Sequence, residues 1–126
     1  MEQVSTANDT LLHNEWKEAL SFHKQELQTF RNDLLEVASR THHPDIMRMV
    51  EHFQNQFLIQ TENIDILRHN IKYNAKSITG TLPTRSILFS TDENHSYDEL
   101  KEKFEDLSKV FTELKDEFIQ FLHDVR

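Results

Sequence analysis

The chain has 126 residues, a formal net charge of −8 and no cysteine. The missing cysteines exclude disulfides, thiolate metal sites and cysteine nucleophiles, and the negative charge disfavours binding to nucleic acids or anionic membranes. One glycine and two prolines are too few for the many turns of a sheet protein, so the composition favours a few long helices.

The length is typical of one domain, and we expect residues 1–126 to form a single unit. The first ten residues, MEQVSTANDT, are polar and do not resemble a signal peptide. No apolar run approaches the roughly 20 residues that span a bilayer. We therefore expect a cytoplasmic protein without a membrane segment.

The first helix is predicted over residues 9–40. Asn8 and Asp9 are both good N-cap residues, and the apolar residues that follow are alternately three and four positions apart. This spacing keeps one face of a helix against a neighbouring helix over many turns. The predicted buried face consists of His13, Trp16, Leu20, His23, Leu27, Phe30, Leu34 and Val37.

A short turn follows at residues 41–43. The tripeptide His43-Pro44-Asp45 resembles the hallmark of J-domains, the co-chaperone modules that stimulate the ATPase of their partner chaperones. The resemblance covers three residues, because the basic helix before the tripeptide and the loop after it have no counterpart here. Pro44 and Asp45 are therefore interpreted as a helix start, where proline has no hydrogen bond to lose and the helix dipole favours an anion.

The second helix is predicted over residues 44–76 and forms an antiparallel hairpin with the first. Its buried face is predicted to be Ile46, Val50, Phe53, Phe57, Gln60, Ile64, Leu67 and Ile71. Residues 77–95 form an irregular linker that contains Gly80 and Pro83. An apolar run at residues 86–90 is predicted either to pack on the bundle or to dock on another chain.

The third helix is predicted over residues 96–125, because Ser96 and Glu99 form a capping box. Its buried face is predicted to be Tyr97, Leu100, Phe104, Leu107, Phe111, Leu114, Phe118, Phe121 and Val125. Three faces of matched length predict an all-α fold, an antiparallel up-down-up bundle of three long helices with coiled-coil-like heptads.

His23 and Gln60 are polar residues on otherwise apolar faces. In the predicted hairpin they lie at the same height, so we expect a buried polar layer held by an imidazole–amide hydrogen bond. The alternative is a metal- or ligand-binding role shared with Glu26, as in a ferritin- or hemerythrin-like bundle. Those families use repeated His/Glu motifs on four helices, which this chain lacks, so no metal and no cofactor are predicted.

Several apolar residues lie off the predicted buried faces, namely Phe22, Leu58, Ile59 and Ile66. On helix 2 they are surrounded by uncharged polar residues, namely His52, Asn55, Gln56, Asn63 and Asn70. An apolar stripe with a polar border is typical of a contact surface. We expect a non-enzymatic scaffold or protein–protein interaction module, without catalytic residues, that forms a homodimer through helix 2 or binds an unidentified protein partner.

Overall fold

The computed structural model describes residues 2–79 and 97–126, with side chains described for residues 13–73 and 98–126. Three helices follow one another along the chain: α1 (Glu2–Arg40), α2 (Pro44–Thr79) and α3 (Tyr97–Val125). The described residues contain no strand. The all-α three-helix bundle predicted from the sequence is confirmed.

The helix bounds differ from the predicted ones mainly at the first helix. α1 begins at Glu2 rather than near Asp9, because no glycine or proline interrupts the chain there and ordinary polar residues cost at most about 0.7 kcal/mol each in a helix. α2 continues to Thr79. The predicted apolar run at residues 86–90 and the capping residue Ser96 lie outside the described residues.

The hairpin turn explains the use of the His43-Pro44-Asp45 tripeptide. The backbone carbonyl of His43 accepts a 2.9 Å hydrogen bond from the N–H of Met47, which closes the first turn of α2. Nδ1 of the same histidine accepts a 3.2 Å hydrogen bond from the N–H of Asp45. His43 is therefore the N-cap, and it satisfies backbone donors that a helix start otherwise leaves without a partner.

The predicted apolar faces form the core. Most of their described residues are buried, and the rest pack partly buried against them. Phenylalanines from the three helices meet at mid-bundle, where Phe118 contacts Phe57 edge to face with ring centroids 4.9 Å apart. The ring of Phe30 lies 5.2 Å from that of Phe118. Such pairs contribute roughly 0.5–1.5 kcal/mol beyond the area that they bury.

The helices are not equally close. The contact between α1 and α2 is the most extensive, that between α2 and α3 is smaller, and that between α1 and α3 is the smallest. Among the side chains that the structure describes, two ion pairs join the helices. Lys24 pairs with Asp65 at 2.8 Å, between α1 and α2, and Lys115 pairs with Glu26 at 2.7 Å, between α3 and α1. Trp16 stacks on Phe104 of α3 with centroids 5.7 Å apart. Over the described part of the chain, no helix is apolar over enough residues to cross a bilayer.

Candidate functional site

The predicted hydrogen bond between His23 and Gln60 is not formed. Gln60 is buried, with 3% of its surface exposed, but its Oε1 has no hydrogen-bond partner, and neither has Nδ1 of His23. The reason is the register of the hairpin. Phe30 of α1 packs against Phe57 of α2. Because the two helices are antiparallel, the residue seven positions before Phe30, which is His23, is level with the residue seven positions after Phe57, which is Ile64. Gln60 is therefore not level with His23. The expected polar layer was wrong in its pairing.

His23 instead packs between α1 and α3. Its imidazole is stacked on the ring of Phe111, with centroids 4.2 Å apart and planes inclined by 24°. Burial lowers the pKa of His23 below its usual 6.5; Glu26 opposes this shift, and Lys115 adds to it. The neutral imidazole is therefore favoured at neutral pH, as suits a ring that packs against another aromatic ring.

The metal-binding alternative gains no support from the geometry. The carboxylate of Glu26 accepts a 2.7 Å hydrogen bond from Nζ of Lys115, so a structural ion pair already uses it. Gln60 lies about one helical turn from the height of His23. The described residues contain no group of three His, Cys, Asp or Glu side chains that could hold a metal ion.

The predicted interaction residues Phe22, Leu58, Ile59 and Ile66 are all exposed. They do not share one surface, however. Ile66 lines a cleft between α2 and α3, whereas Phe22 lines a shallow hollow on α1 that includes Arg68 of α2. The structure therefore divides the predicted surface between two sides of the bundle. Ile59 belongs with Ile66, because it lies seven residues before it and so on the same side of α2.

The cleft between α2 and α3, with a volume of about 320 Å³, is called the α2–α3 cleft below. Three amides, Gln60, Asn63 and Asn70, lie on its α2 side. Its apolar border includes Ile66, which is 56% exposed, and Val110 of α3, which is 45% exposed. A concave, partly apolar surface with a few polar groups is typical of a binding site.

The position of Asn70 differs from the sequence-based prediction. The sequence predicts Asn70 on the outer side of helix 2, but it is buried, because α3 covers this side of the helix. Val110 was also missed, since it lies next to Phe111 on α3 and just off the predicted buried face. Its position three residues beyond Leu107 was the available signal, because residues at that spacing share a side of a helix.

The two walls of the α2–α3 cleft differ in charge. Asp106 lies in the cleft near Val110, and Glu113 and Glu117 follow Val110 on the same side of α3 at helical spacing. All three carboxylates are exposed, and none forms an ion pair with another described residue. Two bases lie among these carboxylates: Lys103 lines one end of the cleft, and the exposed Lys109 lies between Asp106 and Glu113, so the carboxylates are in excess by one. The α2 residues that line the opposite wall, from Gln60 to Asn70, carry no charge. The exposed Glu62 borders Ile59 and Ile66 outside the cleft.

A second apolar surface lies between α1 and α2 near the hairpin turn. Leu35, which is 64% exposed, lines a hollow of about 250 Å³ with Ala38, Met47 and Val50. Arg31 and Glu51 also line it, so charges of both signs are present. This hollow has one amide, Gln54, where the α2–α3 cleft has three, and it was not predicted.

The chain matches no protein-family model, no curated protein and no solved structure. The function must therefore be inferred from the surface itself. The surface features that combine concave shape, exposed apolar side chains and buried polar groups are found at the α2–α3 cleft.

Proposed function

We propose that the protein is a non-enzymatic helical-bundle interaction module that binds a helix of another protein chain along the α2–α3 cleft. The observation that supports this most is the exposure of Ile59, Ile66 and Val110 beside a cleft with amides on its α2 side. Grouped apolar residues with a polar border indicate a protein contact. Surfaces of this kind commonly bind an amphipathic helix, whose apolar face lies in the groove.

The chemistry of the cleft supports binding rather than catalysis. The cleft contains the side-chain amides of Gln60, Asn63 and Asn70. Amides donate and accept hydrogen bonds but do not change their protonation state near neutral pH. Among its lining residues the charged ones are Lys103 and Asp106, and no histidine is present. General acid–base catalysis needs a group that titrates near the working pH.

The sequence-based prediction of a homodimer through α2 remains a proposal. The α2 residues that line the cleft are uncharged, so they present no like charges to a second copy. The chain also contains no cysteine, which suits the reducing cytoplasm in which we propose that it acts.

A site-specific photocrosslinking experiment tests the interaction module. A photoreactive amino acid replaces Ile66 in one variant and Leu35, on the other side of the bundle, in a matched control. In living cells of its source, we expect defined crosslinked bands from position 66 and none from position 35. Equal crosslinking from both positions, or none from position 66, would contradict the proposal. Light scattering on a sizing column then tells whether a second copy is the partner.

A further inference from the structure

The charge and shape of the α2–α3 cleft indicate what kind of helix it binds. Resting on the interaction module described above, we propose that the occupant is a basic amphipathic helix of a different protein, which lies along α2 and α3 as a fourth helix. Its apolar face contacts Ile66 and Val110, and its lysines and arginines face the carboxylates of α3.

The length of the surface fits a helix. The side of α2 that carries Ile59, Ile66 and the amides extends from His52 to Asn70, which is roughly 27 Å at 1.5 Å per residue. A helix of about 18 residues spans the same distance. Ile59 and Ile66 are seven residues apart on this side, and this matches the heptad spacing of apolar residues in a packed helix.

The α3 wall determines the charge of the occupant. Asp106, Glu113 and Glu117 are exposed on the cleft side without a neutralising partner among the described residues. Glu113 and Glu117 are one helical turn apart, and Asp106 lies two turns before Glu113, so bases four and seven residues apart on an incoming helix can face them. Lysine and arginine supply only donors, which suits carboxylates that accept. Opposite charges also increase the rate of encounter with a chain of formal net charge −8.

The same charges disfavour a second copy of this chain. Two copies that met at this cleft would bring their α3 carboxylates together. The basic side chains described on α2 do not relieve this. Arg48 is paired with Asp45, Arg68 lines the hollow on the α1 side, and Lys72 lies beyond Asn70, the last α2 residue of the cleft. Like charges across an interface lower affinity and suppress the wrong partner. A different protein with a basic face meets the cleft without this repulsion.

Three matched peptides test the proposal on the full chain. Each is a helical peptide of about 18 residues with the same leucine face; one polar edge carries lysines in the first, glutamines in the second and glutamates in the third. We expect the lysine peptide to bind at least about tenfold more tightly than the glutamine peptide, which is about 1.4 kcal/mol. We expect the glutamate peptide to bind most weakly, and added salt to reduce these differences.

Two double variants locate the effect. Glu113→Gln with Glu117→Gln should remove most of the preference for the lysine peptide while the glutamine peptide binds as before. Asp98→Asn with Glu105→Gln changes the net charge equally, but both residues are exposed on another side of α3, so the preference should persist. Ile66→Asp should weaken the binding of all three peptides.

The outcomes separate the two proposals. Equal binding of the three peptides, lost in Ile66→Asp, would overturn the basic-helix proposal and leave the interaction module standing. If the chain binds no peptide but forms a dimer, and Ile66→Asp dissociates that dimer, the basic-helix proposal is also overturned. The occupant of the cleft is then a second copy of the chain, and the interaction module stands. No peptide binding by a monomer, with no crosslink from position 66, would overturn both.

Discussion

The imidazole of His23 lies nearly parallel to the ring of Phe111, with 4.2 Å between their centroids. This contact joins α1 to α3, the two helices that approach each other least. Because burial favours the neutral imidazole, protonation opposes the packing of these two helices. The contact therefore links the stability of the bundle to pH.

Stability should fall in acid through His23. The pKa of His23 in the folded chain lies below 6.5. Well above pH 6.5 the imidazole is neutral in both the folded and the unfolded chain, so protonation of His23 takes nothing from the free energy of unfolding. As the pH falls from 6.5 through the lowered pKa, the unfolded chain binds the proton first, and the free energy of unfolding decreases. Urea unfolding of the natural chain and of His23→Phe across this range measures the difference.

His23→Phe keeps an aromatic ring against Phe111 and should remove part of the pH dependence. The control is Gln25→Leu, an exposed position two residues further along α1 that removes no titratable group, and this change should leave the dependence as it was. Identical pH profiles for His23→Phe and the natural chain would contradict the role of the buried imidazole.

Gln60→Leu alone should stabilise the protein. The change removes a buried amide oxygen that has no hydrogen-bond partner, and such a group costs about 1–3 kcal/mol when buried. Leucine at this position continues the apolar face of α2 between Phe57 and Ile64. Chemical denaturation measures the gain, and Gln54→Leu at an exposed position should change little.

The result for Gln60→Leu also separates two accounts of the core. If His23 and Gln60 were bonded to each other, the single change would leave His23 without its partner and lower stability, and only the double change to leucine would be tolerated. The observed geometry predicts that the single change is tolerated without any second change.

Phe118→Ala should be strongly destabilising. Its fully buried ring contacts aromatic rings of both α1 and α2, and truncation of a buried phenylalanine costs about 3–5 kcal/mol. Phe22→Ala serves as the control, because Phe22 is 59% exposed and a change there should stay within about 0.5 kcal/mol. Thermal and urea unfolding should agree on the order, and similar losses for both variants would contradict the described core.

The two interhelical ion pairs should differ in strength. The side chain of Glu26 is 19% exposed in its pair with Lys115, whereas that of Asp65 is 51% exposed in its pair with Lys24. Double-mutant cycles should give a coupling of about 1 kcal/mol for Lys115–Glu26 and under about 0.5 kcal/mol for Lys24–Asp65. High salt should reduce the second coupling more. Equal couplings would show that exposure does not set the strength of these pairs.

The sequence predicted the fold because each core residue carries its own periodic signal. The spacing of Leu20, Leu27 and Leu34 on α1 needs no knowledge of the other helices to indicate a buried face. Pro44 and Asp45 likewise identify the start of α2 from local chemistry.

The pairing of His23 could not be predicted in the same way. It depends on the vertical offset between helices, which is set by how large rings such as Phe30 and Phe57 fit together. A shift of about one helical turn, roughly 5.4 Å, separates Gln60 from Ile64, the α2 residue that is level with His23. The burial of Asn70 depended similarly on which side of α2 is covered by α3.

The cleft was predicted only in part. The apolar residues Ile59 and Ile66 were found because they lie off the α2 face, but their counterpart Val110 is contributed by another helix. A surface built from two helices depends on how they pack, and this information is spread over the whole chain. The acidic wall of α3 was visible in the sequence, but its position along the cleft was not.

The contact between Trp16 and Phe104 gives the protein an internal optical probe. Trp16 is the one tryptophan of the chain and lies buried where α1 meets α3. Three residues separate α1 from α2, whereas 17 residues separate Thr79 from Tyr97. Bringing α3 to the hairpin therefore has a higher entropic cost than closing the hairpin. Tryptophan emission therefore reports on the docking of α3, the step that we expect to come last in folding.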